Sequence, residues 1–569
     1  MIIGSPIITG ADYREYYTGD YTIDPTTFPQ VLPVSGKTMS RDITINAYRG
    51  GSAVAELIAR NIEGYEDTSG EIHSIGSYAF QGCTFLRSVN FTAASRIGSY
   101  AFSECSTLRR VSAPAVEKIF EGAFYNCQYL ASAIFPSVNA IGSSAFANCY
   151  ALSSVDCPAA LQIGQEAFYA CRSLTEISFP MADAVESRAF ALCEELETAS
   201  FSRASFIGSS AFYGCAALAR ADFPSATIIY ANAFNGCRDL SSVDLRSVMS
   251  IQAGAFMNCT ALTSLAFPNL RDGLSASAFA GCTRLEAVSM PFLTLIPNYA
   301  FQSCTALKEA DYPNASYVGS YAFNGCTALS YANFPSAKGI YYSAFNSCYA
   351  LETVNMPEVS IIQNYAFKDC TALKSVYFPS VTISLYSYAF VGCTALEHAD
   401  LPSVSGIPSY TFSGCISLKS VAFPVATFVG SYAFYGCSAL SAADFPSARG
   451  VYYYAFCGCT SLASISLPLV STVQSYAFSG CTALSAISLP AVSYIYSSAF
   501  LGCVKLVSLY LMGSIRCSLA ASTAFVSTPI GGYTAVAGRL GSIYVPASLY
   551  DSYVTAAIWS YFSARFVSV

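Results

Sequence analysis

Charge is scarce in this chain. Asp, Glu, Lys and Arg make up 11% of its 569 residues, against roughly a quarter in an ordinary soluble domain. The net charge is −7 and no basic block occurs, so no nucleic-acid partner is expected. Histidine is nearly absent: His73 and His398 are the two. Tryptophan occurs once, as Trp559. No apolar run reaches the roughly 18 residues of a membrane-spanning helix, so no membrane insertion is expected. The opening stretch, MIIGSPIITGADYREYYTGDY, lacks a charged segment followed by an apolar one. No signal peptide is therefore expected. Synthesis in the cytosol follows, with exit by another route, such as release in a virus particle. No phosphate-binding GxxxxGK[ST], no HExxH and no EF-hand loop occurs.

Cysteine, in contrast, is abundant. Of 23 cysteines, twenty fall on one ladder from Cys83 to Cys503, at steps of 22 or 23 residues. Cys157, Cys457 and Cys517 lie off it. The odd count excludes full intramolecular pairing. A zinc site needs short paired spacings, and the one close pair, Cys457 and Cys459, has no histidine nearby. The ladder reads as buried free thiols filling one recurring slot. No metal or cofactor is expected.

The same period governs the rest of the chain. Phenylalanine recurs from Phe80 to Phe500 in twenty units, with Cys three residues later and Leu three after that in every unit. Ile, Val or Leu stands five residues before each Phe, and Ala just before it, except at Thr411. The unit reads I-x-x-x-A-F-x-G-C-x-x-L-x-x-V-x-F-P. Its last part alternates like a strand, and Pro closes it because it has no N–H to give a ladder. The residue before Cys is Gly, Asn or Asp in fifteen units, residues that tolerate the left-handed backbone of a tight corner. One 22-residue coil cannot bury its own apolar face. Stacked in register it can, with Phe over Phe, Cys over Cys and Leu over Leu, which is the pattern of leucine-rich-repeat solenoids. Parallel strand pairing sets the coils about 4.8 Å apart.

The recurring A-F-x-G-C-x-x-L-x-x-V-x-F-P, as in TFSGCISLKSVAFP at Thr411–Pro424, resembles the BspA-like leucine-rich-repeat family from about Ile75 to Met512. The resemblance implies a mainly β fold: a right-handed solenoid of about twenty 22-residue coils with short parallel strands. It also implies a surface protein of bacteria or protists that binds host proteins or other cells.

A longer period overlies the shorter one. VGSYAFNGCTALSYANFPSA at Val318–Ala337 returns as VGSYAFYGCSALSAADFPSA at Val429–Ala448, 111 residues on, and both resemble Ile207–Ala226. Five-unit cassettes copied in tandem explain this. Length is then a selectable property, useful for reach or for multiplying a weak contact.

Four regions are expected. Residues 1–50, with alternating apolar residues and Gly and Pro turns, read as an N-terminal β attachment module. Residues 51–74 read as a degenerate entry coil, 75–512 as the solenoid and 513–569 as a C-terminal cap. In the cap, Pro546 and Asp551 fit the start of a helix running from about Ala547 to Arg565. Tyr550, Val554, Ile558 and Tyr561 would share one face of it. With G-x-Y-x-x-x-P…L-P-x-x-G-K-x-M-x-x-D-I-x-I-x-A near the start and STPIGGY…GSIYVPASLYDSYVTAAIW near the end, the two terminal segments resemble those of tail or minor structural proteins in phages of gut Firmicutes. This implies attachment of the N-terminal module to a virion or surface assembly.

Catalysis finds little support. The two histidines lie about fifteen coils apart, and no catalytic residue is assigned. Asp156, Asp222, Asp244, Asp311, Asp400 and Asp444 recur on the exposed side of strands and read as solvated faces. Tyrosine stands out instead. Two residues before Phe come Tyr299, Tyr321, Tyr365, Tyr388, Tyr410, Tyr432, Tyr454 and Tyr476, with Tyr341, Tyr342, Tyr386, Tyr452, Tyr453 and Tyr496 beside them. Gly450 to Val504 carries no charged residue or histidine. Tyr and Ser with few charges is the composition of protein-binding and sugar-binding surfaces. Two readings stand together: a ribbon of rings binding a cell-surface protein or glycan, and rings lying flat on their neighbours to support the stack. The expected function is non-enzymatic recognition from a virion or from the extracellular space. The alternatives are a bacterial cell-surface adhesin of the BspA type and a self-associating structural protein, a homo-oligomer.

Overall fold

The computed structural model describes residues 43–45, 64–67, 72–84, 86–533 and 540–569. The chain divides into two compact units, Met1–Met290 and Pro291–Val569. Both are built the same way, from parallel strands of two to four residues.

In the second unit, the strands closing successive repeats pair in parallel runs of three to five. Ser420–Ala422 pairs with Ala442–Asp444, and that with Ser464–Ser466. A second, shorter ladder precedes the Phe of each repeat, running through Phe428–Val429, Gly450–Val451, Thr472–Val473, Tyr494–Ile495 and Ser518–Leu519. The first unit has the same two ladders. Gly64–Asp67, Ser88–Phe91, Arg110–Ser112, Ser132–Ile134 and Ser154–Asp156 form the longer one. Ile43–Ile45 joins the shorter one by parallel pairing with Ile72–Ile75. The rest of the expected attachment module lies outside the described residues.

The columns expected from the repeat are present. Phe412, Phe434 and Phe456 stack in sequence, with centroids 5.4 and 5.1 Å apart. Phe102, Phe124 and Phe146 do so in the first unit, at 5.2 and 5.0 Å. Leu440 and Cys437 are fully buried, as are their counterparts in neighbouring coils. All 23 cysteines are free thiols, and all but the half-buried Cys457 are buried. The slot also has a polar function. Cys437 Sγ donates to the carbonyl of Phe412, 3.1 Å away in the preceding coil, and Cys459 does the same to Phe434.

Between the two strand ladders the backbone forms a third set of inter-coil bonds. The N–H groups of Tyr410, Phe412 and Gly414 donate to Ser431, Ala433 and Tyr435 of the next coil. The intervening N–H groups of Ser413 and Cys415 turn back onto Tyr410 and Phe412 of their own coil. Alternating the direction of successive N–H groups needs left-handed residues, and each unit has two. One is the residue before Cys, as the composition predicts; even Leu192 adopts φ 61° there. The other lies two residues before Phe. Thr411, the exception to Ala before Phe, is buried, and its hydroxyl donates to Pro408 O at 2.8 Å.

The C-terminal cap differs from the single helix expected. Helical turns at Ala547–Leu549 and Tyr550–Val554 are followed by a break, then by a 3₁₀ segment at Trp559–Arg565 and a strand at Phe566–Ser568. Thr555 Oγ1 donates to Asp551 O at 2.6 Å at the break, a local bond that competes with helix continuation. The change of pitch alters the buried face. Tyr553, Trp559, Phe562 and Phe566 are buried, whereas Tyr561 is 77% exposed. Trp559 Nε1 donates to Cys517 O at 2.8 Å, and the Cys517 N–H donates to Tyr553 Oη at 2.8 Å. Phe566–Ser568 pairs with Ser542–Val545, which itself extends the long ladder beyond Ser508–Tyr510.

Candidate functional site: a tyrosine ladder

The eight tyrosines singled out by sequence lie on one column of the second unit. Each occupies the left-handed corner two residues before Phe, with φ between 56° and 64°. That conformation is uncommon for a bulky side chain and costs about 1–2 kcal/mol per residue. At the same corner, coils of the first unit use Ser210, Asn232, Gly254 and Ser277, among others. Aromatic rings occur there at Tyr78 and Tyr100, which stack at 5.5 Å.

In the second unit the rings lie face to face. Tyr388 and Tyr410 are 4.6 Å apart, Tyr410 and Tyr432 4.5 Å, Tyr432 and Tyr454 4.8 Å, and Tyr454 and Tyr476 4.7 Å, with interplanar angles of 9° or less. Tyr365 joins Tyr388 at 4.7 Å, and Tyr299 joins Tyr321 at 4.9 Å. One coil has Ser343 at the corner. There Tyr342 bridges the gap, tilted against Tyr321 at 5.2 Å and edge-on to Tyr365 at 5.6 Å. The result is an unbroken column of nine rings. Tyr299 is 36% exposed, and the seven rings from Tyr321 to Tyr476 at the corner position are half-buried. The rings thus pack flat on one another and remain partly exposed.

Burial pushes the phenols of Tyr321, Tyr365, Tyr410 and Tyr454 up, and neighbouring phenols of the column add to it. At neutral pH these four members of the column are therefore neutral hydroxyls. The column lies in a surface with little charge. The rows flanking it, Asn298 to Ser475 on one side and Gln302 to Ser479 on the other, include one charged side chain, Lys368, which stands 3.6 Å from Asp369.

Three of the aspartates on the strand faces are held locally. Asp222 accepts from Arg220 at 2.9 Å, and Asp244 from Arg246 at 3.0 Å. Arg246 holds the Asp244 carboxyl below its ordinary range. Asp311 accepts from Asn333 at 2.7 Å. His398 is exposed, with Glu397 4.0 Å away; the side chain of His73 lies outside the described residues. Among the described residues, no group of three or more His, Cys, Asp or Glu side chains is placed to hold a metal ion. No helix among them is long and apolar enough to cross a membrane.

Sequence reasoning missed the left-handed corner that carries the tyrosines. The signal was present in Gly122, Asn232 and Gly254, which occupy the same register position.

In-register parallel strands, a buried leucine column and one tight coil per 22 residues define a leucine-rich-repeat solenoid. The chain belongs to the BspA type leucine rich repeat family, whose model matches residues 66–171, 161–286, 227–352, 338–450 and 405–530. Among solved structures, it is similar to a leucine-rich repeat protein from Bacteroides ovatus. The identity is 19%, covering 88% of this chain and 99% of that one, with a TM-score of 0.35. It is also similar to a leucine rich cell surface protein from Faecalibacterium prausnitzii, at 22% identity over 69% of this chain and 83% of that one, with a TM-score of 0.23. No curated protein matches the sequence.

Proposed function

We propose that this chain is a non-enzymatic recognition protein that engages a cell-surface protein or glycan through the tyrosine ladder. One observation carries the reading. Eight tyrosines hold a backbone conformation that Gly or Asn adopts at lower cost, whereas the same corner in the first unit varies among Gly, Asn, Ser, Glu166, Arg188 and two tyrosines. Strain of this kind concentrates at functional sites. The ladder combines area, rigidity and hydroxyls in a nearly uncharged surround, the properties that suit rings to recognition surfaces. Membership of the BspA type family favours an adhesin displayed on a bacterial surface. The resemblance of the terminal segments to phage structural proteins favours carriage on a virion, with residues 1–50 as the attachment module.

Retention of the full chain on candidate bacterial cells tests the proposal. The triple variant Tyr432→Asn, Tyr454→Asn and Tyr476→Asn keeps residues that accept the left-handed corner, as Asn232 does. It should lose retention while its circular dichroism is preserved. The matching Phe variants keep the stack and remove only the hydroxyls, so they separate ring packing from hydroxyl contacts. Undiminished retention by the Asn variant removes the ladder from consideration.

A further inference from the structure

The geometry points to a second copy of this chain as the ladder's partner, the two columns meeting along their length. This deepens the proposed function and rests on the ladder being the recognition face.

The first step is what the column offers. Inside it, ring faces are occupied by neighbouring rings at 4.5 to 4.9 Å over all but the Tyr342 step. A sugar that binds by laying its ring on an aromatic face finds free faces only at the ends and beside the tilted Tyr342. What remains along the column is a row of ring edges and hydroxyls with a fixed step.

The second step is what matches that row. Its step is the spacing of hydrogen-bonded strands, about 4.7–4.9 Å. A partner built on a parallel strand ladder has the same repeat, so a contact made at one coil recurs at the next without drift. An ordinary sheet has about 4–6 strands and twists by about 20–25° per strand, which breaks the match within a few steps. A second copy supplies the same nine rings at the same step. Nine rings span roughly 38 Å, and a strip of that length three side chains wide covers on the order of 800 Å² per partner, the size of a standard stable interface.

The third step is charge. A contact between identical surfaces brings two equal net charges together, and like charges facing each other are costly. The flanking rows carry only Lys368, itself beside Asp369, and Gly450–Val504 carries none. Closed two-fold pairing is the common solution for such self-complementary patches.

The test uses the full chain in sedimentation velocity over a wide concentration range. One variant carries Ser387→Glu, Ser431→Glu and Ser475→Glu, all in the row beside the rings. A second carries Lys at the same three positions. The wild type should associate, each variant should sediment as a monomer, and an equimolar mixture of the two should associate again. Circular dichroism confirms that both variants fold. A wild type that stays monomeric at the highest attainable concentration overturns the inference, as does association that survives both charge sets. If the wild type is monomeric yet is retained on cells lacking this protein, the recognition role stands and only the self-pairing falls.

Discussion

Cys437 Sγ lies 3.1 Å from the carbonyl oxygen of Phe412 and donates a hydrogen bond to it across the coil boundary. The same oxygen accepts the N–H of Cys415 within its own coil. The thiol thus serves as a small apolar filler and as a weak donor between coils. Cys437→Ala should cost about 1 kcal/mol, the scale of one hydrogen bond plus a small void. Leu440→Ala, three residues on in the same coil and fully buried, should cost more, about 2–5 kcal/mol. Urea unfolding of the two variants measures both. A Leu440→Ala loss below about half a kcal/mol would mean that the leucine column is not core.

The thiol column also predicts an alkaline limit. Burial pushes the ladder thiol of Cys282 and the off-ladder thiols of Cys157 and Cys517 up to about 12, and further ladder thiols such as Cys259 upward as well. Unfolded thiols ionise near 8.5. The folded state therefore holds protons that the unfolded state releases. The thiol contribution is intact below about pH 8.5 and is lost as pH rises toward the folded values. Each thiol ionised only in the unfolded chain lowers stability by about 1.4 kcal/mol per pH unit. Denaturation midpoints under reducing conditions should fall steeply between pH 8 and pH 10.5. A flat profile would contradict a column of buried neutral thiols.

Gly436 isolates the backbone cost of the corner before Cys. Its φ is 73°, and an added Cβ would meet nothing within 4 Å. Gly436→Ala should cost about 1–2 kcal/mol from conformation alone. Gly430 has ordinary φ, but an added Cβ would lie 2.7 Å from the Ile407 carbonyl oxygen and the Pro408 backbone. Gly430→Ala should therefore cost more than Gly436→Ala, because coils must separate to admit it. Thermal melts of the two variants decide the order.

At the cap, Trp559→Phe keeps a ring in place but removes the donor to Cys517 O. A buried carbonyl left unsatisfied costs about 1–3 kcal/mol. The loosening should concentrate near the strand Ser518–Leu519, which hydrogen exchange resolves from the coils further back.

The fold was legible because the unit repeats twenty times. Phe, Cys and Leu at fixed offsets leave one arrangement in which each finds a matching neighbour, and the columns through Phe434, Cys437 and Leu440 are that arrangement. The corner before Cys was legible because Gly, Asn and Asp mark left-handed backbone. The corner four residues earlier was not, because Tyr is a poor marker of that conformation and neighbouring rings stabilise it there. The place of Tyr342 was equally hidden: it joins the column because Ser343 leaves a gap, a choice made by the coils on either side. The cap failed as a single helix because the periodic positions from Tyr550 to Tyr561 assumed one pitch, and the chain changes pitch after Thr555.

The five-coil block gives the gene a way to resize its product. Val318 and Val429 are each followed by Gly-Ser-Tyr-Ala-Phe. An unequal crossover that fuses Val318 to Gly430 removes 111 residues and leaves every rung facing an equivalent rung. Offspring differing by whole blocks would fold alike and differ only in how many rings they present, so variation in one lineage can tune avidity without inventing a new contact.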